Sequence, residues 1–160
     1  MLSVHIVCVG KLKEKFYADA VEEYAKRLGG YCKLTLTELP EERLPDSPSQ
    51  AQIDAALAKE GEAVLQRLPK NTVPVALCVE GRLLSSEDLA ERMSDWMLGG
   101  RSSVAFLIGS SYGLAPAVKE KALLRLSMSP MTFPHHLARV MLLEQIYRAF
   151  KINEGSGYHK

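Results

Sequence analysis

Four stretches of the chain have the apolar pattern of β-strands. Residues 4–9, 73–79 and 104–108 are almost uninterrupted apolar runs, which are typical of strands covered on both faces and therefore of parallel sheets. Residues 33–39 alternate leucine with threonine instead, which predicts a half-covered strand nearer the edge of a sheet. The pattern therefore predicts a sheet in which most strands are parallel and buried.

Helical patterns separate these strands. Between Phe16 and Leu28 apolar residues recur at intervals of four, and the run ends at two glycines, which predicts a helix with a glycine stop. Capping-box spacing predicts two further helices, which begin after Ser49 and after Ser85. Strand and helix alternate along the chain, so the predicted fold class is α/β, with a mostly parallel sheet flanked by helices.

A last apolar stretch, residues 137–150, has apolar side chains on nearly every side of a predicted helix. A helix of this kind is buried, either in the core of the chain or against another subunit. The polar loop that precedes this helix, residues 127–136, places prolines, hydroxyl groups and two histidines at the start of the helix. Residues 40–49 form the longest irregular loop, which we interpret as a solvated connection rather than a lid.

Composition and charge limit the classes of protein to which the chain can belong. With 160 residues, of which 47% are apolar, the chain is predicted to form one domain over residues 1–160. Its net charge of +1 excludes a histone-like electrostatic binder of nucleic acid, although residues 119–160 carry an excess of Lys and Arg. Three cysteines without Cys-x-x-Cys spacing, and no signal-peptide or membrane-spanning pattern, lead us to expect a soluble intracellular protein with free thiols.

Gly109-Ser110-Ser111-Tyr112-Gly113 follows an apolar strand and matches the nucleophile elbow of serine hydrolases, with Ser111 as the nucleophile. A hydrolase also needs an acid and then a histidine downstream, yet Glu120 is the only acid between this motif and His135. The same glycines suit a turn whose backbone amides approach a ligand, or a plain structural turn. Dinucleotide and P-loop spacings are not present.

The start of the last helix carries several candidate polar residues. His135 is placed either to cap the helix or to contact a substrate. No cluster of carboxylates or cysteines supports His135 and His136 as metal ligands, so no metal site is predicted. Arg148 lies four residues after Glu144, the spacing of a helical ion pair. Arg139, one turn into the helix, is the better candidate for a phosphate or base contact.

The two ends of the chain add candidates for binding RNA. Tyr158, His159 and Lys160 follow flexible glycines, and an aromatic ring, an imidazole and an ammonium group suit stacking on a nucleotide and contact with its phosphate. Lys11 follows the first predicted strand and extends such a basic surface. The alternatives without a binding role are that residues 158–160 form a frayed tail and that Lys11 only increases solubility.

Together these motifs resemble the RlmH family of SPOUT RNA methyltransferases, over the whole chain. The resemblance is carried by Ile108-Gly109, the loop from Leu126-Ser127 to Met131-Thr132-Phe133-Pro134-His135, Arg139, Glu144-Gln145-Ile146-Tyr147-Arg148-Ala149 and Tyr158-His159. It implies a cytoplasmic homodimer with a C-terminal trefoil knot, a feature that general folding rules would not suggest.

The resemblance also implies an activity: transfer of a methyl group from S-adenosylmethionine to N3 of a pseudouridine, of the position-1915 type, in 23S rRNA of the assembled ribosome. The implied cofactor contacts are Leu77, Gly109, Met128, Ser129, Pro130, Met131, Thr132 and Phe133. Where the family usually has a second glycine, this chain has Ser110, so the local turn is expected to differ.

We assign further roles as hypotheses. His135, Tyr158 and His159 are the candidates that assist loss of the imide proton, with the tail supplied by either subunit. Arg139, Arg148 and Lys11 are assigned to contacts with RNA. Two other functions stay open: a serine hydrolase that uses Ser111, and a ribosome-binding module that has no catalytic activity and binds no cofactor.

Overall fold

A five-stranded parallel sheet with helices on both faces forms the protein, as the sequence pattern predicts. A computed structural model describes all 160 residues. The strands are β1 (Leu2–Val9), β2 (Cys32–Leu39), β3 (Val73–Leu83), β4 (Ser103–Ile108) and β5 (Leu124–Ser127). The helices are α1 (Lys15–Leu28), α2 (Gln50–Gln66), α3 (Ser86–Leu98), α4 (Pro116–Lys121) and α5 (His135–Asn153).

The strand order is β2-β1-β4-β3-β5, and every neighbouring pair is parallel. All six residues of the central strand β4 are buried, which explains the uninterrupted apolar run at residues 104–108. The prediction that residues 33–39 lie near an edge is confirmed, because β2 is an edge strand and Leu36 is exposed. The other edge strand, β5, escaped prediction because it has only four residues.

Each face of the sheet has its own core. In β1, Ile6 and Cys8 belong to a cluster shared with α1, α3 and α5, whereas Val7 and Val9 belong to a second cluster with α2 and α4. Because successive side chains of a strand point to opposite faces, burial on both faces requires an apolar residue at nearly every position. This double coverage produces the apolar runs seen in the sequence.

The helices begin largely where the sequence predicts. Capping boxes at Ser49 and Ser85 are both formed, so these two predictions are confirmed. Helix α1 forms as predicted, but the residue that opens its apolar pattern is not buried: Phe16 is 65% exposed, whereas Val21 and Leu28 are buried. The buried face thus begins more than a turn into the helix, and the Phe16 ring lies beside that of its neighbour Tyr17, at a centroid distance of 4.4 Å.

Helix α5 packs against α1 and α3, within the chain's own core. Its burial confirms the prediction for residues 137–150, since Leu142, Leu143 and Ile146 are fully buried. Val140 and Met141 on the same helix are only half-buried, so packing against a second subunit stays a prediction, as does the knot. None of the helices combines the length and the apolarity needed to cross a membrane.

Gly61 allows α2 to lie close to the start of α4. A Cβ on Gly61 would lie 2.7 Å from the Cβ of Ala115 and 3.2 Å from Cγ2 of Val118. We expect Gly61→Ala to lower the free energy of unfolding by about 1–2 kcal/mol, because overpacking costs roughly 1–3 kcal/mol and outweighs the ~1 kcal/mol gain in helix propensity. Denaturant titration measures this difference.

The matched control is Gly30→Ala. A Cβ on Gly30 meets no atom within 4 Å, so this variant should unfold like the wild type. If Gly61→Ala proves as stable as Gly30→Ala, the close contact between α2 and α4 does not limit stability.

Candidate functional site

A cavity of about 600 Å³ opens at the carboxyl-terminal side of the sheet, within the size range of ligand pockets of roughly 300–1,000 Å³. It lies beyond the last residue of β4, Ile108, and beside the part of β3 whose pairing with β5 is interrupted between Leu77 and Arg82. Half of the 20 lining residues are apolar. The lining consists of residues 77–80, 108–114, 119, 128, 129, 131–135 and 138.

Most of the residues that the resemblance assigns to the cofactor lie on the wall of this cavity. They are Leu77, Gly109, Met128, Ser129, Met131, Thr132 and Phe133. Pro130 is exposed and is not part of the wall. The structure thus brings together two distant parts of the sequence, the turn after β4 and the loop before α5, around one concave space. Their contact with a cofactor stays a prediction.

The charged residues on the cavity wall are not the ones that the sequence suggested for binding. Glu80 and Lys119 form an ion pair on the cavity wall, and no sequence pattern pointed to them because they are 39 residues apart. Lys11 is exposed just after β1 but does not line the cavity. Its assignment to RNA stays a prediction.

The turn after β4 is tight and depends on glycine. A Cβ on Gly109 would lie 2.2 Å from the carbonyl oxygen of Gly113, and Gly113 itself has a φ of +86°. Both positions therefore exclude or strain a side chain. The Gly113 N–H donates to the carbonyl of Ser110 at 2.8 Å, which closes the turn and leaves a compact wall beside the cavity.

Ser111 does not make the contact that a serine hydrolase requires. Its hydroxyl donates to Oε1 of Glu41 at 3.4 Å and has no hydrogen bond to a histidine. A serine nucleophile is activated by a base within hydrogen-bond reach, usually an imidazole. The motif at residues 109–113 therefore works as a turn in this fold, and the hydrolase interpretation loses its structural basis.

His135 is the first residue of α5 and lines the cavity. It does not cap the helix: Pro134 occupies the capping position, and no side chain bonds there. Burial, followed by the charge of His136, lowers the pKa of His135, so its imidazole is neutral near pH 7. The two histidine rings lie 4.2 Å apart, and no group of three or more His, Cys, Asp or Glu side chains is placed to hold a metal ion.

Arg139 is buried and connects α5 to the ends of β1 and β2. It is 3% exposed, and its Nη1 donates to Oε2 of Glu38 at 2.6 Å while its Nη2 donates to the carbonyl of Gly10 at 3.1 Å. Burial acts to raise the pKa of Glu38, but hydrogen bonds from Arg139 and from the Leu12 N–H outweigh it and lower that pKa. A direct contact between Arg139 and RNA would require these bonds to break.

Arg148 makes the helical ion pair that its spacing allows. Its Nε and Nη2 donate to Oε1 of Glu144 at 2.9 and 2.6 Å, and Tyr158 stacks on it with 4.9 Å between Cζ and the ring centroid. His159 lies between Arg148 Nη1 at 3.0 Å and Glu87 Oε1 at 2.6 Å. The tail is therefore folded back on α5 and α3, and neither Tyr158 nor His159 lines the cavity.

Comparison with known proteins agrees with the resemblance. Residues 2–159 match the model of a family described as "Predicted SPOUT methyltransferase". A protein of Clostridium novyi (strain NT) is 48% identical over 159 residues, which cover 99% of this chain and all of the relative. A protein of Moorella thermoacetica is 48% identical over 160 residues, the full length of both chains. Both relatives are named "Ribosomal RNA large subunit methyltransferase H".

The buried bonds of Arg139 predict a stability effect. We expect Arg139→Gln to lower the free energy of unfolding by about 3 kcal/mol, because breaking a buried ion pair on one side costs roughly 3–5 kcal/mol and Gln can still donate a neutral hydrogen bond. Arg148→Gln, which removes a pair between neighbouring turns of one helix, should cost less than about 1 kcal/mol. Urea titration of both variants compares them, and equal losses would show that the Arg139 guanidinium is not held as described.

Proposed function

The chain belongs to the SPOUT methyltransferase family, and we propose that it transfers a methyl group from S-adenosylmethionine to N3 of a pseudouridine in 23S rRNA. The full-length similarity to proteins named as large-subunit rRNA methyltransferases supports RNA as the substrate. The single observation that carries the proposal for the site is the cavity enclosed by the glycine turn and the loop before α5. We further propose that the assembled ribosome is the substrate, which makes the site of action cytoplasmic.

The cavity suits S-adenosylmethionine in size and in chemistry. Apolar wall residues such as Leu77, Ile108 and Phe133 offer surface for an adenine ring and for the methylene groups of the methionine chain. The compact turn at residues 109–113 and the loop at residues 128–133 offer backbone groups for hydrogen bonds. When bound, S-adenosylmethionine supplies an electrophilic methyl group on a sulfonium centre.

The chain's main contribution to such a reaction is positioning. Holding the acceptor nitrogen in line with the methyl group can remove roughly 7–11 kcal/mol of the barrier. The wall of the cavity is suited to this task because its turn is closed by the bond between Ser110 and Gly113, and because α5 is fixed to the sheet through Arg139.

We assign the acceptance of the imide proton to His135. It lines the cavity, and burial lowers its pKa, so that it is neutral and able to accept a proton near pH 7. Tyr158 and His159 lie on α5 away from the cavity in one chain. Their role at the acceptor therefore depends on a homodimer in which the tail of one subunit reaches the other, or on release of the tail.

The homodimer and the RNA contacts complete the proposal. Val140 and Met141 are half-buried apolar residues of α5, and a symmetric interface would bury the same surface on both subunits. Lys11 is exposed and is our first choice for a phosphate contact, while Arg148 and Arg139 are already paired with Glu144 and Glu38. Such a protein relies on a local basic patch rather than on its net charge.

The activity is tested by transfer of labelled methyl from S-adenosylmethionine to ribosomes that lack the modification, with free 23S rRNA in parallel. We expect one pseudouridine of the assembled ribosome to gain one methyl group at N3, located by mass spectrometry of the RNA. Ribosome binding without cofactor binding or methyl transfer would instead favour a non-catalytic ribosome-binding module.

His135 as the proton acceptor predicts a change in the pH profile. His135→Gln should lower the single-turnover rate about 100-fold or more, the lower range of general-base catalysis. Because the pKa of His135 is lowered, the wild-type rate should stay high as the pH falls to about 6.5, the ordinary histidine value, and decline only below it. That decline should vanish in the variant.

The control for this experiment is His5→Gln. His5 lies in β1 and does not line the cavity, so its replacement should leave both the rate and the shape of the profile intact. A His135→Gln variant with the wild-type profile would remove His135 from the reaction.

A further inference from the structure

We propose that Glu60 is a positioning residue that holds two parts of the active site together: the turn at residues 109–113 and the segment after β2 that carries Glu41. The inference rests on the proposed function, because it takes the cavity as the cofactor site. Glu60 belongs to α2, and it does not line the cavity itself. It acts through two hydrogen bonds, one to each part.

The Glu60 carboxylate is buried and uses both oxygens. The residue is 6% exposed, its Oε1 accepts from the Ser110 hydroxyl at 3.0 Å, and its Oε2 accepts from the Glu42 N–H at 2.9 Å. A buried carboxyl group is costly unless its oxygens are bonded in this way. The position of the carboxyl group therefore sets the positions of both donors.

A serine suits this place better than a glycine would. Burial raises the pKa of Glu60, and its two hydrogen bonds oppose that shift without cancelling it. A hydroxyl group can donate to a carboxylate or accept from a carboxylic acid, whereas a backbone N–H can only donate. Ser110 can therefore stay bonded to Oε1 in either protonation state. Glycine, which the family resemblance leads us to expect at position 110, would leave that oxygen without this partner.

The first bond fixes the wall of the cavity. Ser110 is 5% exposed and lines the cavity. Its hydroxyl is held by Glu60, and its carbonyl accepts from the Gly113 N–H at 2.8 Å. The turn is thus anchored to α2 as well as closed on itself, and loss of the side-chain bond would let it shift relative to the loop before α5.

The second bond holds the backbone of the segment that carries Glu41. Glu41 precedes the bonded Glu42 N–H, and its Oε1 accepts from Ser111 at 3.4 Å. A Cβ on Gly10 would lie 3.6 Å from Oε2 of Glu41 and 3.5 Å from Nε2 of His135, so these two groups border the same small space. The negative charge of Glu41 opposes the lowering of the His135 pKa by burial. Glu60 thereby influences the surroundings of His135 without touching it.

Two variants separate the two bonds. Ser110→Ala removes only the bond to the turn, and we expect it to raise the Kd and the KM for S-adenosylmethionine about tenfold, the effect of losing one hydrogen bond to a charged group, with kcat within about threefold of the wild-type value. Glu60→Leu removes both acceptor oxygens, so the bonds to Ser110 and to the Glu42 N–H are both lost. We expect a raised KM together with a lowered kcat.

Ser103→Ala is the matched control for a purely structural effect. Ser103 lies at the other end of β4, is 8% exposed, and its hydroxyl donates to Thr72 Oγ1 at 2.9 Å. It should lower the Tm, though less than Ser110→Ala does because its partner is neutral, while KM stays at the wild-type value. Calorimetric titration with S-adenosylmethionine, steady-state methylation of ribosomes and thermal unfolding provide the three measurements.

The outcomes distinguish this inference from the proposed function. If the wild type binds and uses S-adenosylmethionine but Ser110→Ala keeps its KM, as Ser103→Ala does, the positioning role is overturned and the proposed function stands. If the wild type neither binds the cofactor nor methylates ribosomes, the proposed function fails and the inference falls with it. If Glu60→Leu does not fold, Ser110→Ala, which removes a single oxygen atom, still tests the inference.

Discussion

Coverage of a parallel sheet on both faces is the constraint on which the rest of this structure depends. With α1, α3 and α5 on one face and α2 and α4 on the other, neither face of β4 has room for a ligand. Polar backbone groups become available only where strands end, and in a parallel sheet the carboxyl ends lie on one side. The cavity beyond Ile108 is at that side, so its place follows from the packing of the core.

A second interaction transfers the rigidity of the sheet to the polar loop. Arg139 is buried within α5, and its bonds to Glu38 and Gly10 attach the start of that helix to the ends of β2 and β1. His135 lies one turn before Arg139 on the same helix. Because a helix is stiff over one turn, the attachment of Arg139 also determines where the imidazole of His135 lies. Glu60 has the corresponding effect on the opposite wall through Ser110.

The sequence predicted what depends on local pattern and missed what depends on distant partners. Apolar patterns were sufficient for four strands and the buried helix α5, and the spacing of polar residues was sufficient for the capping boxes. The strand β5 was too short for a pattern, and Phe16 lay outside the core. Polar pairs are harder, because Arg139 meets Glu38 across 101 positions and Ser110 meets Glu60 across 50. Residues 40–49 were interpreted as a solvated connection because they carry little obvious chemistry, although Glu41 bonds to Ser111 on the cavity wall and Glu42 bonds to Glu60.

The cavity wall and the C-terminal tail differ in how firmly they are held. The turn and the start of α5 are held by buried bonds, and breaking a buried ion pair on one side costs several kcal/mol. The tail is held by partly exposed contacts of Tyr158 and His159 with Arg148, Glu144 and Glu87, and contacts of that kind contribute about 0–1 kcal/mol each. If one of these segments rearranges when a large RNA substrate binds, the tail is the one that can do so at low cost, while the cavity wall and His135 keep their places.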